Sequence, residues 1–243
     1  MKKLILILTL CSVLFSCSNV GNASNSDNNP PLTATPVNDI DGNSYNTVII
    51  GTQVWMQRNL DVTHYRNGDV IPQVTDSNTW AHLTSGAWCY YNNETANGPI
   101  YGKLYNWYAV SDPRGLAPVG CHIPTDNEFQ SLIIHCQTLG GNYGTNGKLR
   151  ETGFAHWFDP NYSSNETGFT ALGAGIRILS IDEIHPQYNT SSFQDLKAQT
   201  KWWTSTPFPG SALNSNMFII NDLGSGFYGR TNNEGVSVRC IKD

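Results

Sequence analysis

The first seventeen residues constrain everything downstream, because they decide where the chain folds. Lys2 and Lys3 precede an almost wholly apolar run over residues 4–15, and Ser16-Cys17 follow. A positive start, a short apolar stretch and a small residue before a cleavage point make an export signal. The run is too short for a stable membrane span. Leu14-Phe15-Ser16-Cys17 has the form of a bacterial lipobox. Cleavage before Cys17 would leave that cysteine as an acylated, palmitate-bearing N-terminus, with an ordinary secretory cut nearby as the alternative. Cys89, Cys121, Cys136 and Cys240 then remain. In an oxidising compartment an even set of four reads as two disulfides, with three possible connectivities.

Residues 1–16 are thus expected to be signal peptide, residues 17–36 a lipidated cysteine with a disordered tether, and residues 37–243 one domain. The tether (SNVGNASNSDNNPPLTATP) has almost no large apolar residue to offset the entropy of ordering. Loss of Lys2 and Lys3 leaves twelve basic residues against nineteen acidic ones, a net of −7 from the −5 of the whole chain. That balance argues against nucleic acid, whose binding rests on neutralised phosphates. It leaves acyl chains as the means of membrane contact, and two or more of them anchor stably. The roughly 205 residues of the domain suffice for one sizeable core.

Within the domain, β-branched and aromatic residues 45–50 and 53–60 flank Gly51-Thr52 and follow Asp41-Gly42, which predicts a hairpin. Asp39, Asp41 and Asn43 have calcium-loop spacing, but Ser44 and Ile50 stand where such a loop needs glycine and glutamate. Residues 88–91 read as a strand. In residues 101–110 (YGKLYNWYAV), Tyr101, Leu104, Tyr105 and Tyr108 recur at helical spacing. Thr125 and Glu128 form a capping box ahead of Phe129, Leu132, Ile133 and Cys136, and Gly140-Gly141 end that helix. Strands are expected at residues 167–172, 202–206, 217–220 and 236–241. Residues 178–200 are expected to be a long loop. Of adjacent Trp202 and Trp203, one should face the core and the other solvent.

The chemistry-bearing residues are dispersed. Cys121-His122 and His135-Cys136 have zinc-ligand chemistry, but adjacent ligands make poor geometry. No G-x-S-x-G elbow is present, and the six histidines show no spacing that forces convergence. Asp159, Asn161, Asn165 and Glu166 would suit calcium, although an Asn/Asp turn cluster is the simpler reading. No cofactor is therefore expected.

Several segments occur together and in order: DGNSYNTVIIGTQVWMQRNL (41–60), GAWCYYNN (86–93), YGKLYNWYAV (101–110), LAPVGCHIPTDNEF (116–129), LGG (139–141), NETGFTALGAGIR (165–177), WWTSTP (202–207) and SVRCIKD (237–243). Through them, residues 37–243 resemble the Fibrobacter succinogenes major paralogous domain. That resemblance implies a lipoprotein of the Bacteroidetes and Fibrobacteres lineage and supplies no reaction. A looser resemblance, carried by the helix after Pro124-Thr125 and by the ending Ser237-Val238-Arg239-Cys240, is to C-type-lectin-like domains and the formylglycine-generating-enzyme fold. It implies an α+β domain with two main helices, a small twisted antiparallel sheet and long loops. Cys89 and Cys240 match family positions, whereas Cys121 and Cys136 depart from them together. The resemblance therefore implies the pairs Cys121–Cys136 and Cys89–Cys240, with Cys136–Cys240 as the lectin-like alternative. Lectin-like recognition loops fall in residues 178–200, which makes Tyr188, Asn189, Trp203 and Asn216 the candidate ligand-binding residues.

The resulting expectation is a lipid-anchored outer-membrane protein that recognises an extracellular glycan or protein without catalysis. The alternatives are a glycan-modifying or diverged formylglycine-generating-enzyme-like enzyme, and a structural envelope or adhesin component.

Overall fold

The first two strands are set by one aspartate. In this computed structural model, which describes residues 30–243, Asp39 accepts hydrogen bonds from the backbone N–H of Asp41 and Asn43 and from the Tyr45 hydroxyl. This Asx turn joins β1 (Thr33–Asn38) to β2 (Ser44–Ile50), and Gly51-Thr52 turns the chain into β3 (Gln53–Met56). The predicted hairpin is present. Ordered strand begins at Thr33, so the last residues assigned to the tether belong to the sheet. The signal peptide, Cys17 and the rest of the tether lie outside the described residues.

The chain continues through α1 (Ser77–Ala81), β4 (Trp88–Cys89), α2 (Gly98–Tyr101), β5 (Leu104–Tyr105), α3 (Trp107–Val110), β6 (Cys121–His122), α4 (Asp126–Thr138) and α5 (Thr145–Leu149). It ends with β7 (Ala174–Ser180), β8 (Thr190–Leu196), β9 (Gln199–Pro207), β10 (Asn214–Asn221), β11 (Ser225–Thr231) and β12 (Ile241–Lys242). One sheet has the order β1-β2-β3-β12-β6, a second β11-β10-β9-β7-β8, and β4 pairs with β5. Between the named strands the pairings are antiparallel except for one parallel step between β7 and β9, and isolated parallel bridges join Gln73 to Trp88, Arg150 to Ala171 and Trp202 to Ser237.

This architecture corrects the expected two-helix, lectin-like α+β fold: the protein is mostly β, with a curled five-stranded sheet and few, short helices. Among the described residues α4 alone exceeds five residues, at thirteen. It carries the predicted capping box, with Phe129, Leu132, Ile133 and Cys136 buried along one face. The helix expected at residues 101–110 is cut in two. Gly102 adopts φ +74°, and a Cβ there would lie 2.8 Å from the Leu60 carbonyl oxygen. Leu104 and Tyr105 pair instead with Cys89 and Trp88, and Asn106 starts α3 by accepting from the Ala109 N–H. Tertiary pairing thus overrides the helical spacing. Residues 178–200 are mainly the β7–β8 hairpin rather than a loop. Residues 167–172 are irregular, with Asn165 and Thr170 at positive φ and bonded to each other.

Trp202 and Trp203 are both fully buried. The second sheet is covered on each face at this point. Trp202 packs in a cluster with Trp55, Phe129 and Phe218, and Trp203 in another with Tyr105 and Met217. The last residues stitch the layers together. Gly235 and Ser237 bridge to Arg177 and Trp202 of the second sheet, Val236 bridges to Tyr105, and Ile241 joins β3 and β6 of the first. Between them Arg239 is buried at the junction. Its Nε and one terminal nitrogen donate to Asn59 Oδ1 at 3.1 and 2.9 Å, and the other donates to the Phe169 carbonyl.

The four cysteines of the domain are spread over three packed clusters. Cys89, Cys121, Cys136 and Cys240 are all buried free thiols. Cys136 lies in the Trp202 cluster and Cys89 in a third cluster with Trp80, whereas Cys121 and Cys240 share the Trp203 cluster. The expected pairs Cys121–Cys136 and Cys89–Cys240, and the alternative Cys136–Cys240, each draw their two members from different clusters. Burial raises the thiols of Cys89 and Cys136 to about 11 and about 12, so they remain protonated and poor nucleophiles. Peptide mapping of the oxidised protein is expected to find Cys89 and Cys136 unlinked. Recovery of a Cys121–Cys136 or Cys89–Cys240 peptide would contradict this placement.

Candidate binding surface

Trp107 owes its position to the residue before it. Asn106 is fully buried; its Oδ1 accepts from the Ala87 and Ala109 N–H groups and its Nδ2 donates to the Ser85 carbonyl. The Trp107 N–H donates to the Asn232 carbonyl at 2.9 Å, so α3 is fixed at both ends of the peptide plane. The Trp107 ring meets Trp203 edge-on, with centroids 5.6 Å apart. Trp203 is itself held by a 2.8 Å bond from its indole N–H to the Tyr105 carbonyl.

The half-buried Trp107 walls a cleft of about 400 Å³, together with Val110, Ser111, Ser205, Pro207 and Asn214. None of the residues around it is charged. Ser111 donates to the Trp107 carbonyl and Ser215 to Asn232 Oδ1. Among the described residues the Ser205 hydroxyl and the Asn214 amide make no side-chain bond, which leaves them free for a ligand. An aromatic wall with a neutral hydrogen-bonding rim suits a hydroxyl-rich, apolar-faced guest.

The residues anticipated from sequence do not assemble into a site. Trp203 supports Trp107 from behind. Asn216 donates to Asp126 Oδ2 at 2.7 Å and ties β10 to the start of α4. Tyr188 is exposed on the β7–β8 tip, where Asn189 accepts from the Asp182 N–H. That tip packs on α1 through His82 and the Pro186 carbonyl. The sequence signal for Trp107 was its position off the apolar face of residues 101–110, beside Asn106.

The other polar groups named from sequence make contacts within the chain. Asn161 donates to the Glu151 and Gly153 carbonyls, Asn165 bonds Thr170, and Glu166 lies 3.6 Å from the Lys148 ammonium. These contacts staple a loop; no group of three His, Cys, Asp or Glu side chains that could hold a metal occurs among the described residues. His122 bridges Glu128 and Asp243 at 2.7 and 2.6 Å. Partial burial opposes its protonation, but the hydrogen bonds to Asp243 and Glu128 outweigh that and raise its pKa. His64 meets Asp41 and Thr63 through one nitrogen, Nδ1, and among the described residues no nucleophile is bonded to its other.

Residues 48–242 match the Fibrobacter succinogenes major domain. The chain belongs to that family. No curated protein and no solved structure matches it. The match runs from within β2 to β12 and leaves out β1, so the Trp107 cleft lies wholly inside the matched region of this major domain. The family's description names neither a reaction nor a ligand.

One buried acid in the domain has a measurable signature. The Glu234 side chain is 5 % exposed, and its Oε2 has no hydrogen-bond partner. Burial raises its carboxyl to about 7, against the opposing pull of Arg230 and Lys201. The folded state then holds this proton where the unfolded chain has lost it. The associated stability is fully present below about pH 4.5 and is lost as pH rises through about 7, an effect on the order of 3 kcal/mol. Glu234→Gln should flatten the fall in denaturation midpoint between pH 5 and pH 8. A variant with the same pH dependence as the parent would contradict the buried neutral acid.

Proposed function

We propose that this protein is a lipid-anchored component of the outer membrane whose Trp107 cleft binds a neutral extracellular glycan without transforming it. The anchor rests on Lys2-Lys3, the apolar run and Leu14-Phe15-Ser16-Cys17. No helix among the described residues is long and apolar enough to cross a membrane, and acyl chains at Cys17 would supply the attachment.

Recognition rests on the cleft itself. Trp107 presents an aromatic face to which the apolar side of a sugar ring can stack, while Ser205 and Asn214 meet hydroxyls. The scaffold behind Trp107 is rigid, so little ordering entropy opposes binding. The lack of charge in the lining favours a neutral saccharide over an acidic one. The reading thus moves from the Tyr188 tip to the cleft, where aromatic wall and free hydrogen-bonding groups face the same volume.

A glycan array probed with the detergent-extracted protein should return neutral saccharides. Trp107→Ala should weaken the leading hit about tenfold, near the value of one stacking contact. Asn214→Ala, a change outside the packed core, should weaken it several-fold. Retention of full affinity by both variants, or an array without neutral-saccharide hits, would refute the proposal.

A further inference from the structure

We propose that a second basin, on the outer face of β9, β10 and β11, binds a saccharide bearing a carboxylate, with Arg230 taking the carboxylate and Tyr228 the apolar face of the ring. The argument begins with strand alternation. Trp202, Phe218, Ile220 and Phe227 point into one cluster. Lys201, Met217, Ile219, Tyr228 and Arg230 point the other way, and beyond Trp203 this face opens as a basin of about 360 Å³.

The floor of the basin is apolar, because Met217 and Ile219 are buried there. Tyr228 lies directly across from Met217 in the β10–β11 ladder and is 57 % exposed, so its ring forms a wall rather than part of the core. Gln194 and Gln199 stand on the rim, and neither side-chain amide is bonded among the described residues. These are the elements of a sugar subsite: a ring to stack on, and amides that can both donate and accept.

Charge separates this basin from the Trp107 cleft. Lys201 is neutralised by Asp195, with Nζ 2.9 Å from Oδ2. Arg230 has no such partner. The nearest carboxylate is Glu234, whose Oε1 lies 3.9 Å from an Arg230 terminal nitrogen, beyond hydrogen-bond reach. Burial also keeps that acid neutral up to about pH 7. The guanidinium is half exposed and makes no hydrogen bond among the described residues. One unspent fork on an acidic chain matches one carboxylate, which arginine binds through two parallel bonds. An acidic peptide would use the charge but leave Tyr228 and the amides without partners that fit them. The basin and the cleft share no lining residue, so this inference stands independently of the neutral-glycan reading.

The test is calorimetric titration of the detergent-extracted protein with trigalacturonate, its methyl ester and tetraglutamate. Trigalacturonate should bind, and the ester, equal in shape but uncharged, at least tenfold more weakly. Arg230→Gln, at an exposed site where folding is not at stake, should lose tenfold in trigalacturonate affinity, and Tyr228→Ala several-fold. Trp107→Ala should leave this affinity unchanged, so failure here and failure of the cleft proposal are distinguishable. Absence of trigalacturonate binding, equal binding of acid and ester, equal binding of tetraglutamate, or an unaffected Arg230→Gln variant would each overturn the proposal.

Discussion

A guanidinium without a carboxylate sits where the two sheets meet, and the rest of the fold is arranged around it. Burial of an unpaired charge is costly, and it pulls Arg239 down to about 9. The cost is offset by the Asn59 side chain and the Phe169 carbonyl, and by the faces of Phe169 and Trp202 at 4.4 and 5.3 Å. Asn59 also accepts from the Trp202 indole and donates to the Tyr101 carbonyl. One amide thereby joins the end of the first sheet, the centre of the second, the C-terminal segment and α2. Other buried cations also take loop carbonyls, although Lys103 pairs with the Asp61 carboxylate and Lys148 lies near Glu166. Arg177 donates to the carbonyls of Val74, Thr75 and Asp76, Lys148 to those of Cys136 and Gly140, and Lys103 to that of Asp61. In a domain with short helices and many irregular segments, buried cations satisfy the loop carbonyls that secondary structure leaves open.

The same packing fixes the walls of two openings on the second sheet. The second sheet is covered on both faces around Trp202 and Trp203 and left open at each end of its outer face. Trp107, propped on Trp203, walls one opening, and Tyr228, across from Met217, walls the other. The two differ in charge because one is lined by serines and asparagine and the other holds Arg230 beside a neutral Glu234.

Features set by neighbours in sequence were legible beforehand. The capping box needs only Thr125 and Glu128, and the first hairpin only its Asx turn. Features set by distant partners were not. Residues 101–110 show helical spacing, yet Gly102 lies against the Leu60 carbonyl and Leu104-Tyr105 pair with β4. Adjacent Trp202 and Trp203 suggest one buried face, because nothing local says that a sheet will be sandwiched. Arg239 alternates with Val238 and Cys240 as an exposed residue would, and its burial follows from Asn59, 180 positions away. The family likeness was legible in its ordered segments; the lectin likeness rested on one helix and one ending, too little to fix an architecture. For the site, the tryptophan-rich composition pointed to aromatic recognition, but only tertiary packing separates Trp107 from the buried tryptophans.

Equilibrium urea unfolding of Asn59→Ala tests the junction most directly. Removal of the amide strips the Arg239 Nε, one of its terminal nitrogens and the Trp202 indole of an acceptor, and the Tyr101 carbonyl of a donor. With a charged donor left uncompensated in the interior, the predicted loss is about 3–5 kcal/mol. A loss below about 1 kcal/mol, typical of a surface change, would show that the sheets are held together without this node.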